Sequence, residues 1–219
     1  ELYDKIIKLK EEYISCDIKE EGVNRKPKDI NEAKTSTESY YYWIRSLYNN
    51  LEDKKSVESS VYFIFMNKTG FRGMYREGPN GMNIPYGHYK KTPKFFTKKE
   101  YDLISDLIQD VEFVSCGFET SLTNFVKGDF IYLDPPYAPE KQTSFTSYIK
   151  DGFKEHHELF IQCTKLKDTK IDFVMSNSNT LLVTSYFTLD KRFTIDIIDC
   201  KRAINSKNPN ARTLQVFIH

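Results

Sequence analysis

The chain has 219 residues, of which 39% are hydrophobic and 29% charged, with a formal net charge of +1. That length and composition suit one globular domain and exclude a wholly disordered chain. Four cysteines (Cys16, Cys116, Cys163 and Cys200) form no CxxC pair, which argues against zinc and against a disulfide scaffold, and the longest apolar run, residues 61–66, is too short to span a bilayer.

Leu2, Ile6, Leu9 and Tyr13 fall at helical spacing and predict a helix over residues 2–13. Residues 16–29 are polar, carry Gly22 and Pro27, and read as a loop. A second helix is expected over residues 40–51, with Ile44, Leu47, Tyr48 and Leu51 on one stripe. A third should run from Ser56, an N-cap candidate, to Asn67, although its run YFIFM would also suit a strand. The run of Tyr40, Tyr41 and Tyr42, with Trp43, is read as core packing.

Residues 70–93 differ in kind. Five of the nine glycines lie there, with Pro79, Pro85 and Pro93, and the PNG at 79–81 marks a turn between two short segments able to pair as a hairpin. Residues 67–100 hold eight Lys and Arg against two acids, a net +6 in a chain whose total is +1. Basic charge gathered in this way suits a surface that meets phosphates. A helix resumes at Thr97, which forms a capping box with Glu100 ahead of Leu103, Ile104, Leu107 and Ile108.

The second half alternates. Strands are expected at residues 111–115, 130–133, 171–175, 193–198 and 214–218, with helices at 153–166 and 181–187. Strand and helix in turn predict a parallel sheet with crossovers, and the last two strands should pair antiparallel at its end. His156 and His157 are expected to be exposed.

Residues 131–137 read IYLDPPY: a hydrophobic strand runs straight into Asp134-Pro135-Pro136-Tyr137. Ligands gather at the carboxyl ends of strands in open α/β sheets. Two prolines stiffen the backbone and remove two N–H donors, leaving a carboxylate, carbonyl acceptors and an aromatic face. That set suits a planar amine stacked on Tyr137, its hydrogens accepted by Asp134 and by the Pro135 carbonyl. An exocyclic amine of adenine is a poor nucleophile because its lone pair is delocalised; accepting both hydrogens frees the pair to attack a methyl group, with positioning and electrostatics supplying the catalysis.

At this point the sequence resembles the Dam-type (D12 class) DNA adenine N6-methyltransferases. The resemblance rests on DPPY, on NKTGFRGMYREGPNGMNIPYGHYKK at 67–91, and on CGFETSL at 116–122, MSNSNT at 175–180 and KRAINSKNP at 201–209. It implies a Rossmann-like α/β methyltransferase sheet using S-adenosyl-L-methionine, with residues 1–35 and 100–219 catalytic and a helical and β-hairpin recognition insert at 36–99. The substrate implied is double-stranded DNA at a short site, with GATC the suggested target, and the adenine flipped out of the duplex. Asp134, Pro135 and Tyr137 would be catalytic, and Asp134 and Phe118 would lie against the cofactor. Phe71 would wedge into the duplex and Arg76 would read a guanine edge. Met74 and Pro85 would touch bases, while Arg72, Tyr89, Lys90 and Lys91 would also contact DNA. Ser206, Lys207 and Asn208 would close over the target. Competing structural roles are a local hydrophobic cap for Phe71 and an ion pair with Glu77 for Arg76. The expected setting is the cytoplasm, bacterial or virus-infected, with a monomer or weak dimer, no metal and no membrane.

One part of the family pattern is missing: no FxGxG-like run, which would cradle the cofactor, occurs in the 219 residues. The chain opens on Glu1 in mid-helix, and truncation at the N-terminus is the expectation, leaving the first strands of the sheet outside. The alternative function is a DNA-binding protein descended from a methyltransferase and without catalysis. Methylation of an RNA or protein amine is disfavoured, because Asn usually replaces the Asp of the motif there.

Overall fold

The computed structural model describes residues 1–16, 22–139, 153–201 and 212–219. It divides into two compact units, Glu1–Glu112 and Phe113–His219.

The first unit is helical. Helices α1 (Leu2–Ile14), α3 (Thr37–Asn50) and α4 (Val57–Thr69) pack together, with a short α2 (Ile30–Ala33) before α3. Their starts are set by side chains that satisfy otherwise orphaned N–H groups. Asp29 accepts from Asn31 and Glu32, Ser36 from Ser39, and Ser56 from Ser59. The 62–66 run is helical: Val61, Phe65 and Met66 face inward while Phe63 stays partly exposed.

Tyrosines build this core. Tyr40 and Tyr41 are fully buried, and the Phe65 ring meets Tyr13 at 5.6 Å and Tyr40 at 5.8 Å between centroids. Buried tyrosine needs a partner for its hydroxyl. Tyr13 and Tyr86 share a 2.6 Å hydrogen bond, Tyr86 reaches Thr37 Oγ1 at 3.1 Å, and Tyr40 donates to Glu12 at 2.7 Å. As expected, Tyr40, Tyr41 and Tyr42 pack in the core, with Trp43 against it.

Helix α4 stops at Gly70, where a Cβ would lie 2.6 Å from the Met66 carbonyl oxygen. A 3-10 turn (Phe71–Gly73) follows, then a hairpin of β1 (Glu77–Gly78) and β2 (Gly81–Met82) joined by Pro79 and Asn80. Helix α5 (Lys98–Leu107) begins at the capping box, with Thr97 N–H donating to Glu100 at 2.8 Å and Glu100 N–H to Thr97 Oγ1 at 3.2 Å. Its apolar stripe is not buried: Leu103 and Leu107 are 59% and 70% exposed.

The second unit is α/β. Among its described residues, strands β3 (Phe130–Leu133), β4 (Asp172–Ser178), β5 (Ile195–Lys201) and β6 (Arg212–Ile218) form one sheet in the order β3-β4-β6-β5. Strands β3 and β4 are parallel, and α7 (His156–Asp168) lies between them in the chain. β6 is antiparallel to both β4 and β5, so the last two strands pair as expected. The core joins Ile131, Phe160, Phe173, Met175, Val183, Phe187, Val216 and Ile218, drawn from the sheet, from α7 and from α8 (Leu181–Thr188). The short α6 (Phe118–Ser121) packs against α7.

Two expectations fail. Residues 111–115 form no strand: Val111, Phe113 and Val114 are exposed, and the run has no ladder partner among the described residues. β-Propensity alone does not order an extended run, because a strand is completed by its neighbour. The sheet therefore shows four strands where five were expected. His156 is buried, not exposed. It opens α7 between Phe153, at 4.8 Å between ring centroids, and Phe160 at 6.2 Å, while His157 is exposed.

Candidate active site

Register places the motif. In the parallel pair Leu133 lies opposite Met175, and β4 continues through Ser176, Asn177 and Ser178, held on its other side by Phe217, Val216 and Gln215 of β6. Beyond Leu133 the partner strand turns into Asp134-Pro135-Pro136, where two residues have no N–H to give the ladder.

Side chains of β4 take over the pairing. Ser176 Oγ donates to Asp134 Oδ1 at 2.8 Å, with the Leu133 carbonyl more distant at 3.4 Å. Asn177 Oδ1 accepts from the Ala138 N–H and from the Ser178 N–H, each at 2.9 Å. Ser176 and Asn177 are 1% and 0% exposed, whereas Asp134 is exposed and Pro135 and Tyr137 are half-buried. An anchored carboxylate thus faces outward at the end of a strand. Burial raises the Tyr137 hydroxyl above its ordinary value; a bond to Ser176 opposes this, and the nearby Asp134 charge adds to it. The hydroxyl of Tyr137 therefore stays protonated beside Asp134. Asn177 Nδ2 is buried with no hydrogen-bond partner among the described residues.

Phe118 opens α6, is half-buried against the second core, and meets Phe153 edge-on at 6.0 Å. A cavity of about 140 Å³ in this unit is lined by Leu122, Phe125, Gln162, Lys165 and Ile171 among others; Phe118, Asp134, Pro135 and Tyr137 do not line it.

The glycine-rich segment of the first unit is held from beneath. Met82, Ile84 and Tyr86 point inward and are buried, so alternation turns Asn83 and Pro85 outward. Helix α3 presents Tyr41, Arg45 and Asn49, one helical turn apart, to this stretch. Tyr41 and Arg45 donate to the Ile84 carbonyl at 2.8 and 2.9 Å. Asn49 pairs with both backbone groups of Met82, at 3.0 and 2.9 Å, as a neighbouring strand would. Gly81 needs its positive φ of 89°, and a Cβ there would lie 2.7 Å from Asn49.

The candidate reading residues gather along this support. The Phe71 N–H donates to the Pro85 carbonyl at 2.9 Å, and Phe71 is 39% exposed, with the Arg72 guanidinium 5.3 Å from its ring centroid. Arg76 does not pair with Glu77, which takes the Tyr75 hydroxyl. Its guanidinium instead donates to Asn83 Oδ1 at 2.7 Å, and Asn83 N–H returns a bond to the Arg76 carbonyl at 3.0 Å. Met74 is half-buried against the first core. Tyr89 ties its hydroxyl to the Gly70 carbonyl at 2.9 Å and is itself exposed, next to exposed Lys90 and Lys91. Ser206, Lys207 and Asn208 lie outside the described residues. No group of three metal-binding side chains occurs among the described residues, and no helix among them is long and apolar enough to cross a membrane.

Sequence reasoning missed Ser176, Asn177, Asn49 and Asn83. MSNSNT was singled out as a motif, but nothing in it says which strand it adjoins.

The chain thus combines an α/β sheet, with an acidic double-proline corner at a strand end, and a braced glycine-rich hairpin. The chain belongs to the D12 class N6 adenine-specific DNA methyltransferases, whose family model matches residues 1–204. It is 35% identical over 172 residues to type II methyltransferase M.MjaIII of Methanocaldococcus jannaschii, covering 77% of this chain and 59% of that protein. It is 33% identical over 186 residues to type II methyltransferase M1.LlaDCHI of Lactococcus lactis subsp. cremoris, covering 81% and 64%. A third relative, the retron Ec67 DNA adenine methylase of Escherichia coli, is 32% identical over 168 residues, covering 75% and 55%. The chain thus spans roughly three-fifths of the length of these relatives.

Proposed function

We propose that this chain carries the methyl-acceptor centre and the sequence-reading hairpin of an S-adenosylmethionine-dependent methyltransferase, acting on the N6 amine of adenine in double-stranded DNA. The observation that carries the reading is the exposed Asp134 carboxylate, held at the end of β3 by the buried Ser176. The finer picture is a Rossmann-like sheet, an extruded adenine and a short target site of the GATC type.

The residues fit both reactants. An outward carboxylate and the half-buried ring of Phe118 offer an acceptor and an apolar face, suited to the polar and the adenine ends of S-adenosylmethionine. When bound, that cofactor supplies an electrophilic methyl group on a sulfonium sulfur. Asp134 and the Pro135 carbonyl accept the two amine hydrogens of the target base. This draws the nitrogen towards a tetrahedral shape and localises its lone pair, so the chain's part is orientation and charge. Tyr137 offers its ring as a stacking face and fixes the base plane. Extruding the base costs a few kcal/mol, roughly what unstacking one base pair requires; in this reading Phe71, which is exposed and whose N–H is held by the Pro85 carbonyl, fills the gap.

In the protein at its full natural length, Asp134→Ala abolishes transfer of labelled methyl groups to duplex DNA while leaving DNA affinity near normal. Undiminished methylation by that variant overturns the mechanism.

A further inference from the structure

We propose that Ser176 is a positioning residue for methyl transfer, acting through Asp134. This rests on the reading of Asp134 as the amine acceptor. The proposal follows from where the parallel ladder fails. An exposed carboxylate at a strand end has several rotamers open to it, and accepting an amine hydrogen needs one of them. Pro135 and Pro136 cannot fix the corner through backbone donors, so the orientation has to come from the adjacent strand.

Ser176 is suited to that task. It is 1% exposed, set in the ladder opposite Phe217, and its hydroxyl reaches Asp134 Oδ1 at 2.8 Å. Engaging one carboxylate oxygen fixes the plane of the group and hence the direction of the other. Asn177 holds the far end of the corner through the Ala138 N–H, so consecutive residues of one strand grip the motif on both sides of its prolines. The target base meets Asp134 and Tyr137, not Ser176, and the serine therefore acts through its neighbour.

Four variants of the protein at its full natural length test this: Ser176→Ala, Ser176→Cys, Ser176→Thr and Asp134→Asn. Cysteine keeps the buried volume but donates weakly, and threonine keeps the hydroxyl. With a duplex oligonucleotide substrate, the Ala and Cys variants lose kcat by about 10²-fold, the scale of a small misplacement of a reacting group. Their KM for DNA, DNA affinity by fluorescence anisotropy and thermal midpoint stay near those of the parent, and Ser176→Thr recovers most of the rate. Unchanged kcat in both the Ala and Cys variants overturns the proposal, as does a loss confined to KM or to the thermal midpoint. Asp134→Asn separates the two readings: if it stays fully active, the acceptor role of Asp134 itself fails; if it is inactive while Ser176→Ala and Ser176→Cys are unimpaired, only the role of Ser176 fails.

Discussion

Arg76 shows how much of a role a single side chain can reveal. Its fork is oriented by Asn83, with no ion pair to Glu77. In the proposed function a guanidinium held in this way is set to read two acceptors on a guanine edge. Arg76→Ala should relax discrimination at one base pair by about 1–3 kcal/mol, measured as the ratio of kcat/KM on the target and on single-substitution sites. Equal weakening on every sequence would make Arg76 a phosphate contact instead. The motif IYLDPPY was readable from one stretch because strand, acid, prolines and ring are consecutive. Ser176 was not, since it lies 42 residues from Asp134 and meets it only through the β3–β4 register.

His156 makes a second prediction at this scale. Burial between Phe153 and Phe160 lowers its affinity for a proton below the ordinary 6.5. The unfolded chain then binds the proton more readily than the folded one. The stability that follows from the neutral ring is complete above pH 6.5 and is lost as pH falls through the folded value. Urea midpoints should fall between neutral and mildly acidic pH, and His156→Leu should flatten that part of the curve. A slope unaltered in the variant would place its origin elsewhere.

Elements with strong local signals formed where expected: the Ser56 cap, the Thr97–Glu100 box and the PNG turn all appear. Residues 111–115 did not become a strand, because an apolar run is a strand only when another strand accepts it. The hairpin was legible, but its brace was not: Tyr41 was read as core packing, and nothing in the sequence of α3 marks Arg45 or Asn49 as partners of the backbone at Met82 and Ile84. Asn49→Ala strips both backbone groups of Met82 of their partner, and should destabilise the first unit by about 1–3 kcal/mol in urea denaturation. A midpoint within error of the parent would show that water replaces the amide without cost.

At the scale of the molecule, the described residues form two cores of different character. The first is rich in tyrosines whose hydroxyls are tied to one another, to Thr37 and to Glu12; the second is aliphatic and phenylalanine-rich. Of the 15 Tyr and 16 Phe, most of those described lie in or against these cores and serve packing. The change from helices to alternating strand and helix in the second half was visible in the change of hydrophobic period, because period reports local geometry. Which strand neighbours which was open until the order β3-β4-β6-β5 was seen, since it places the last strand of the chain inside the sheet.

Arg72 and His88 stand at either side of the hairpin with φ of 55° and 48°, a region that side-chain-bearing residues seldom adopt. Neither is glycine, so each bend is held against its own preference by the fold around it. In the proposed function the segment between them meets the duplex with its bends already set, and glycine at both positions would relieve the backbone cost while making the hairpin more yielding.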